Sequence, residues 1–338
     1  PISYDRTGKS GGYFMRKIAG LVLCGLLAAG SAGAADCQLK MLGSADMKVS
    51  PDRLLLPVNF GDTQKNFIFE MGSGLNIVTR ETADQAGFHL QSLDPNITVS
   101  AFGQRMEMLG YSPKFRIGTL PGDDVEFSIL PRPLEDTTVA GVLGTRLFEK
   151  LDFELDIAQG KLKVFSTDHC PEQVVYWTKT GFAELPFQRE GTIITAKMLL
   201  DTKPVHVTLN TTPGAMIGMN TVRRLFGLDE NSPGMTVVKT FPDGEKLYRY
   251  PFKGLTVDAL TINNPDILIR GEAPGTVCNN RERIQDMDAP QGHVVDKPMA
   301  YVTCFTSDME IGLSVLSKLH LYYSSREKII YATGAGAN

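Results

Sequence analysis

Two stretches of this chain repeat each other at a fixed offset, and a repeat of that kind commits the chain to building one supersecondary unit twice. The first runs from Asp62 to Phe88 and the second from Asp201 to Leu228. Placing Glu70 on Asn210 also brings Gly74 onto Gly214, Ile77 onto Ile217, Gly87 onto Gly227 and Phe88 onto Leu228, each 140 positions further on. Each copy reads as a turn, an apolar strand, a tight polar elbow, a short strand and a helix ending at glycine. Strand-like runs separated by Gly, Pro, Asp and Asn turns dominate both halves, with only short helices between them, which points to barrel-like β lobes.

The repeat resembles the retropepsin and pepsin-like aspartic proteases, whose lobes each supply an Asp-Thr-Gly elbow after an apolar strand and, later, an apolar-apolar-Gly segment before a helix. Here the elbows read Glu70-Met71-Gly72-Ser73 and Asn210-Thr211-Thr212-Pro213, and neither contains the aspartate. The second landmark is also doubled, as Gly141-Val142-Leu143-Gly144 with Phe148 and, more weakly, as Met309-Glu310-Ile311-Gly312 with Leu316. The resemblance implies a mainly β fold of two pseudo-symmetric, aspartic-protease-like β-barrel lobes with few short helices and a cleft between them. Residues 46–166 form the expected first lobe, 167–177 a linker and 178–335 the second lobe. Glu70 and Gly144 lie 74 positions apart and Asn210 and Gly312 lie 102 apart; the extra 28 fall in a polar insertion, residues 271–306.

Aspartic proteolysis needs two carboxylates close enough that they cannot both ionise, one holding a proton for the scissile carbonyl and the other taking one from water. Glu70 carries an extra methylene and Asn210 is an amide with no proton to exchange at physiological pH. The resemblance therefore makes Glu70 and Asn210 a degenerate catalytic dyad and the chain a pseudoprotease that binds peptide or protein in its cleft. An active aspartyl-type endopeptidase working through Glu70 and a structural envelope protein are the alternatives. Gly72, Ser73, Thr211 and Thr212 are the expected binding residues at the elbows. Phe102-Gly103 and the Phe241–Gly244 turn, with Phe241 and Asp243, are the expected hairpin tips over the cleft. Asp62, Asp136 and Asp201 each precede threonine and mimic the catalytic dipeptide, but they sit where aspartate serves turns.

Upstream, Met15-Arg16-Lys17, the apolar run Ile18 to Ala29 and Ala32-Gly33-Ala34 have the pattern of a cleaved signal peptide, so residues 1–35 read as an upstream extension and leader. The mature chain would be periplasmic or secreted, with no stable membrane span once the leader is removed. Its formal charge would move from −4 to −7, since one acid and four bases leave with the leader, and that argues against nucleic acid as a partner. Export also favours disulfides over metal thiolates. Cys37, Cys170, Cys278 and Cys304 then allow three pairings, of which Cys37 with Cys170 and Cys278 with Cys304 is favoured. The histidines show no paired ligand spacing, so neither metal nor other cofactor is expected. A monomer is expected because two lobes already supply internally the symmetry that single-lobed relatives obtain by pairing.

Overall fold

The computed structural model describes residues 2–4, 38–94, 99–171, 173–179, 181–190, 193–271 and 307–336. The expected leader, all but the first residue of the insertion, Cys37, Cys278 and Cys304 lie outside these residues. The fold is mainly β, with two lobes and few short helices.

The repeat seen in the sequence returns as a repeat of strand pairing. In the first lobe the sheet runs Leu54–Phe60, Thr63–Glu70, Val139–Gly144, Ile77–Thr79, Val125–Leu130, Met108–Ser112 and His89–Ser92. In the second it runs Ile193–Leu200, Lys203–Leu209, Met309–Ile311, Ala215–Gly218, Ile267–Arg270, Lys246–Arg249 and Thr236–Thr240. The sense of pairing agrees at every step. Thr63–Glu70 lies parallel to Val139–Gly144 as Lys203–Leu209 lies parallel to Met309–Ile311, and each landmark strand then runs antiparallel to the short strand after its own elbow. Alternating burial along Leu54–Phe60 and Ile193–Leu200 turns their apolar residues into the two cores, as a half-buried strand requires.

Val139–Gly144 ends in a glycine and Met309–Ile311 is followed by one, and neither glycine has room for a side chain. A Cβ on Gly144 would stand 2.4 Å from the Ser73 carbonyl oxygen, and one on Gly312 would stand 2.1 Å from that of Gly214. In each lobe the loop after the elbow therefore crosses over bare backbone, which is why glycine is doubled at this place.

Strands that the sequence assigned to different lobes join in a shared sheet. Its order is Met41–Asp46, Lys161–Phe165, Asp152–Asp156, Leu319–Ser324, Ile329–Gly334 and Ala183–Glu190. The halves meet where Asp152–Asp156 pairs antiparallel with Leu319–Ser324, with Phe153 opposite Tyr323 and their rings stacked at 4.7 Å. The described residues between Phe165 and Ala183 form neither helix nor strand. They are pinned to this sheet by buried polar contacts. Asp152 accepts hydrogen bonds from the Ser325 N–H at 2.8 Å and the Tyr322 hydroxyl at 3.2 Å and lies 2.5 Å from His169 Nε2, while Trp177 stacks on His320 at 3.9 Å. Burial would raise the Glu154 carboxyl, but hydrogen bonds from His320, Lys163 and Tyr176 hold it below its ordinary value; burial and Glu154 together push the Tyr176 phenol up to about 12.

Several elements differ from the sequence expectation. The apolar run Leu255 to Ile262 suggests one strand, but it is a hairpin of Gly254–Val257 and Leu260–Asn263, reversed at Asp258 with φ 47°. Aspartate tolerates this left-handed turn, so the reversal carries no Gly or Pro signal. The strands Met41–Asp46, His89–Ser92, Met108–Ser112 and Ala183–Glu190 are not evident from alternation alone, their pattern being broken by glycine, serine or charge. Ile2–Tyr4, within the expected upstream extension, pairs antiparallel with Leu260–Ile262.

Candidate functional site at the seam of the lobes

Glu70 and Asn210 each stand at the end of an apolar elbow strand, and the structure brings the two elbows together. The backbone N–H of Thr211 donates to Glu70 Oε1 at 3.2 Å, and that of Gly72 donates to Asn210 Oδ1 at 3.1 Å. The two dyad positions are thus each bound by the elbow opposite. A Cβ on Gly72 would lie 2.6 Å from the Asn210 amide carbon, so the first elbow needs glycine where the second elbow's side chain leans on it.

The residue after each dyad position has a different task. Thr211, buried, accepts from the Met71 N–H at 3.0 Å and lies 2.7 Å from the Phe69 carbonyl and 3.1 Å from Glu70 Oε1. Its single hydroxyl hydrogen goes to the shorter of the last two contacts, clamping the first elbow from both sides. Met71 has no hydroxyl to return the brace. It is 1% exposed and packs into the main core instead, so hydrophobic contact supports this half of the seam.

The structure adds a carboxylate from outside the dyad positions. Glu310, in the landmark strand of the second lobe, accepts from Asn210 Nδ2 at 2.8 Å and from Thr212 Oγ1 at 2.7 Å through the same oxygen, Oε1. The dyad positions expected from the sequence supply one acid, Glu70, and the structure corrects this to two at the seam. The signal was present: matching Gly144 to Gly312 sets Glu310 against Val142, an acid at an apolar place in an otherwise apolar-apolar-Gly strand. Burial is the largest influence on the Glu70 carboxyl and lifts it above its ordinary value; hydrogen bonds from Thr211 and Gly72 act the other way, and the negative charge of Glu310 adds to the rise.

The remaining expected site residues are less directly engaged. Ser73 spends its hydroxyl within its own loop, donating to the Leu75 carbonyl at 3.0 Å, and its carbonyl accepts from the Thr145 N–H at 3.1 Å. Phe102 and Gly103 form the tip of the hairpin Val99–Ala101 and Gln104–Met106, both with positive φ, and the Phe102 ring is exposed. Phe241 opens the turn after Thr236–Thr240 beneath Lys239, whose Nζ stands 4.6 Å from the ring. Asp243 uses its carboxylate to accept the Glu245 N–H at 3.0 Å, which is turn chemistry. Asp136 accepts the Thr138 N–H within its own turn, as the sequence suggests, whereas Asp201 reaches out of its hairpin turn to accept the N–H groups of Lys253 and Gly254. Among the described residues no cluster of three or more His, Cys, Asp or Glu is placed to hold a metal ion.

Comparison with known proteins bears on the first lobe. Residues 56–147, which include the first elbow and its landmark glycine, match the aspartyl protease family. No curated protein matches the sequence. Solved structures with a similar course include an aspartic proteinase from Irpex lacteus, 11% identical, covering 87% of this chain and 97% of that one at a TM-score of 0.49. Basic 7S globulin from soybean is 9% identical, covering 88% of this chain and 96% of that one at a TM-score of 0.47. Conglutin gamma from lupine seeds is 8% identical, covering 89% and 96% at a TM-score of 0.48.

Proposed function

We propose, for a chain that is aspartic-protease-like in its fold and in the sequence of its first lobe, that the seam holds an extended peptide without cutting it by the two-aspartate mechanism. The observation that carries this reading is the state of Asn210. Its amide oxygen accepts from Gly72 and Thr211, and its amide nitrogen donates to Glu310. It can neither take a proton from water nor supply one to a carbonyl, and the reaction needs both roles filled. A peptide would bind by backbone hydrogen bonds along the elbows and under the tips at Phe102 and Phe241, in the manner of an added strand.

Fluorescence anisotropy with a labelled statine-containing peptide tests this directly. Saturable binding, competed by unlabelled extended peptides and weakened about tenfold or more by Phe102→Ala with Phe241→Ala, is the expected result. Absence of saturable binding would leave a structural envelope component as the better description.

A second reading rests on Glu310. Two carboxylates at the seam, one lifted by burial, could support acid hydrolysis with Glu70 as the proton donor. Peptide cleavage lost in both Glu70→Gln and Glu310→Gln would select it. Export belongs to the same proposal, supported by the leader-like pattern of residues 15–34; amino-terminal sequencing of protein recovered from the periplasm or medium checks it, with a start near Ala35 expected.

A further inference from the structure

Asn210 and Glu310 sit on neighbouring strands, and their contact explains more than a single hydrogen bond. The amide has one acceptor end and one donor end, and its surroundings fix which is which. Two backbone N–H groups, from Gly72 at 3.1 Å and Thr211 at 2.8 Å, face the oxygen, while the Glu310 carboxylate faces the nitrogen at 2.8 Å. Turning the amide over would set N–H against N–H and oxygen against carboxylate, so only one orientation satisfies every partner. The cross-lobe bond from Gly72 then depends on Glu310, which holds the donor end in place.

The same geometry bears on what position 210 can be. An aspartate there would put a second carboxylate oxygen where the amide nitrogen now lies, within hydrogen-bond distance of Glu310 Oε1. In the first lobe the counterpart of Glu310 is Val142, beside Ile68 on the elbow strand, just as Glu310 lies beside Thr208. The lobe whose dyad position is an acid thus carries valine at this place in its landmark strand, and the lobe whose dyad position is an amide carries an acid there.

We infer that Glu310 is the positioning residue that orients the Asn210 amide across the seam, and that its charge makes aspartate at position 210 destabilising to the folded chain near neutral pH. The inference rests on the peptide-holding reading, but it is read from stability and so fails or stands separately from peptide binding. Among the described residues the charged groups facing Glu310 are few. Glu70 lies across the seam. Two residues before it, just outside the strand Met309–Ile311, Asp308 pairs with Arg224. On the adjacent strand Lys203–Leu209, alternation puts His206 on the same face as Thr208. The strand Ala215–Gly218 and the helix Leu313–Leu316 bring no charge.

Thermal unfolding of full-length variants at pH 4 and pH 8 tests it. Asn210→Asp should lower the midpoint by roughly 5 °C or more at pH 8, and by much less at pH 4, because two carboxylates in contact resist the second ionisation and stability falls as pH rises. Asn210→Asp with Glu310→Gln, and likewise with Glu310→Val, should remove most of that pH-dependent loss. Should Asn210→Asp yield no folded protein at pH 8, the inference requires that Asn210→Asp with Glu310→Gln does. A loss equal at both pH values would show only a missing hydrogen bond and would overturn the inference, as would failure of both double variants to restore the midpoint.

Discussion

At the first elbow the carboxylate stands on the elbow strand itself, at Glu70, whereas at the second an amide takes that place and the carboxylate stands one strand over, at Glu310. The supports differ in the same sense. The second elbow gives a hydroxyl, Thr211, that grips the first elbow at Met71 N–H and Phe69 C=O, while the first returns a buried methionine. The lobes share strand order, pairing sense and landmark glycine, so at the elbows the difference lies in a few side chains. A symmetric scaffold can thus be held shut by unlike chemistry at its two halves, polar on one side and apolar on the other.

The largest effect expected from breaking this comparison is at Met71. Its replacement by alanine empties a fully buried site and should cost about 2–5 kcal/mol in chemical denaturation; a loss below about 1 kcal/mol would show that packing does not support the first elbow. Thr211→Val keeps the shape but leaves the Met71 N–H and Phe69 C=O without their partner, and should cost about 1–3 kcal/mol by the same measurement. The two losses together should fall short of or exceed their sum, because both act on one seam.

Gly72→Ala sharpens the contrast with Thr212, its counterpart. The new methyl meets the Asn210 side chain at 2.6 Å, and about 1–3 kcal/mol should be lost, with partial recovery when Asn210 is shortened to serine. No recovery would mean that the clash lies in the backbone.

The smallest expected effect is a change of pH dependence. Since the folded-state value of Glu70 is raised, its ionisation opposes folding: the contribution to stability is complete below its ordinary 4.5 and is lost as pH rises through the raised value. Glu70→Gln should therefore flatten the decline of the unfolding midpoint above pH 4.5. An unchanged slope would place the titration elsewhere.

The sequence carried the architecture well because the features that fix it are local and doubled. The apolar elbow strands, Gly144 and Gly312, and the helix that Thr79 caps by accepting the Thr82 N–H could all be read from residue type and spacing. The shared sheet was less legible, since pairing of Asp152–Asp156 with Leu319–Ser324 joins residues far apart in the chain and no short pattern marks it. At the site, Glu70, Asn210, Met71 and Thr211 are legible from the repeat, whereas Glu310 stands in the weaker copy of the apolar-apolar-Gly segment. Its significance appears only when strand register places it beside the elbow. An acid interrupting a repeated apolar motif is best treated as a site residue until its partners are known.

The central proposal is that Asn210, its amide engaged by Gly72, Thr211 and Glu310 at the seam, fits the chain to hold peptide rather than cleave it. Mass spectrometry of a diverse peptide pool incubated with purified protein between pH 3 and pH 7 tests it most directly. The account predicts no new peptide ends beyond those produced by the Glu70→Gln variant. New ends that appear with the wild-type chain and vanish in Glu70→Gln would contradict it.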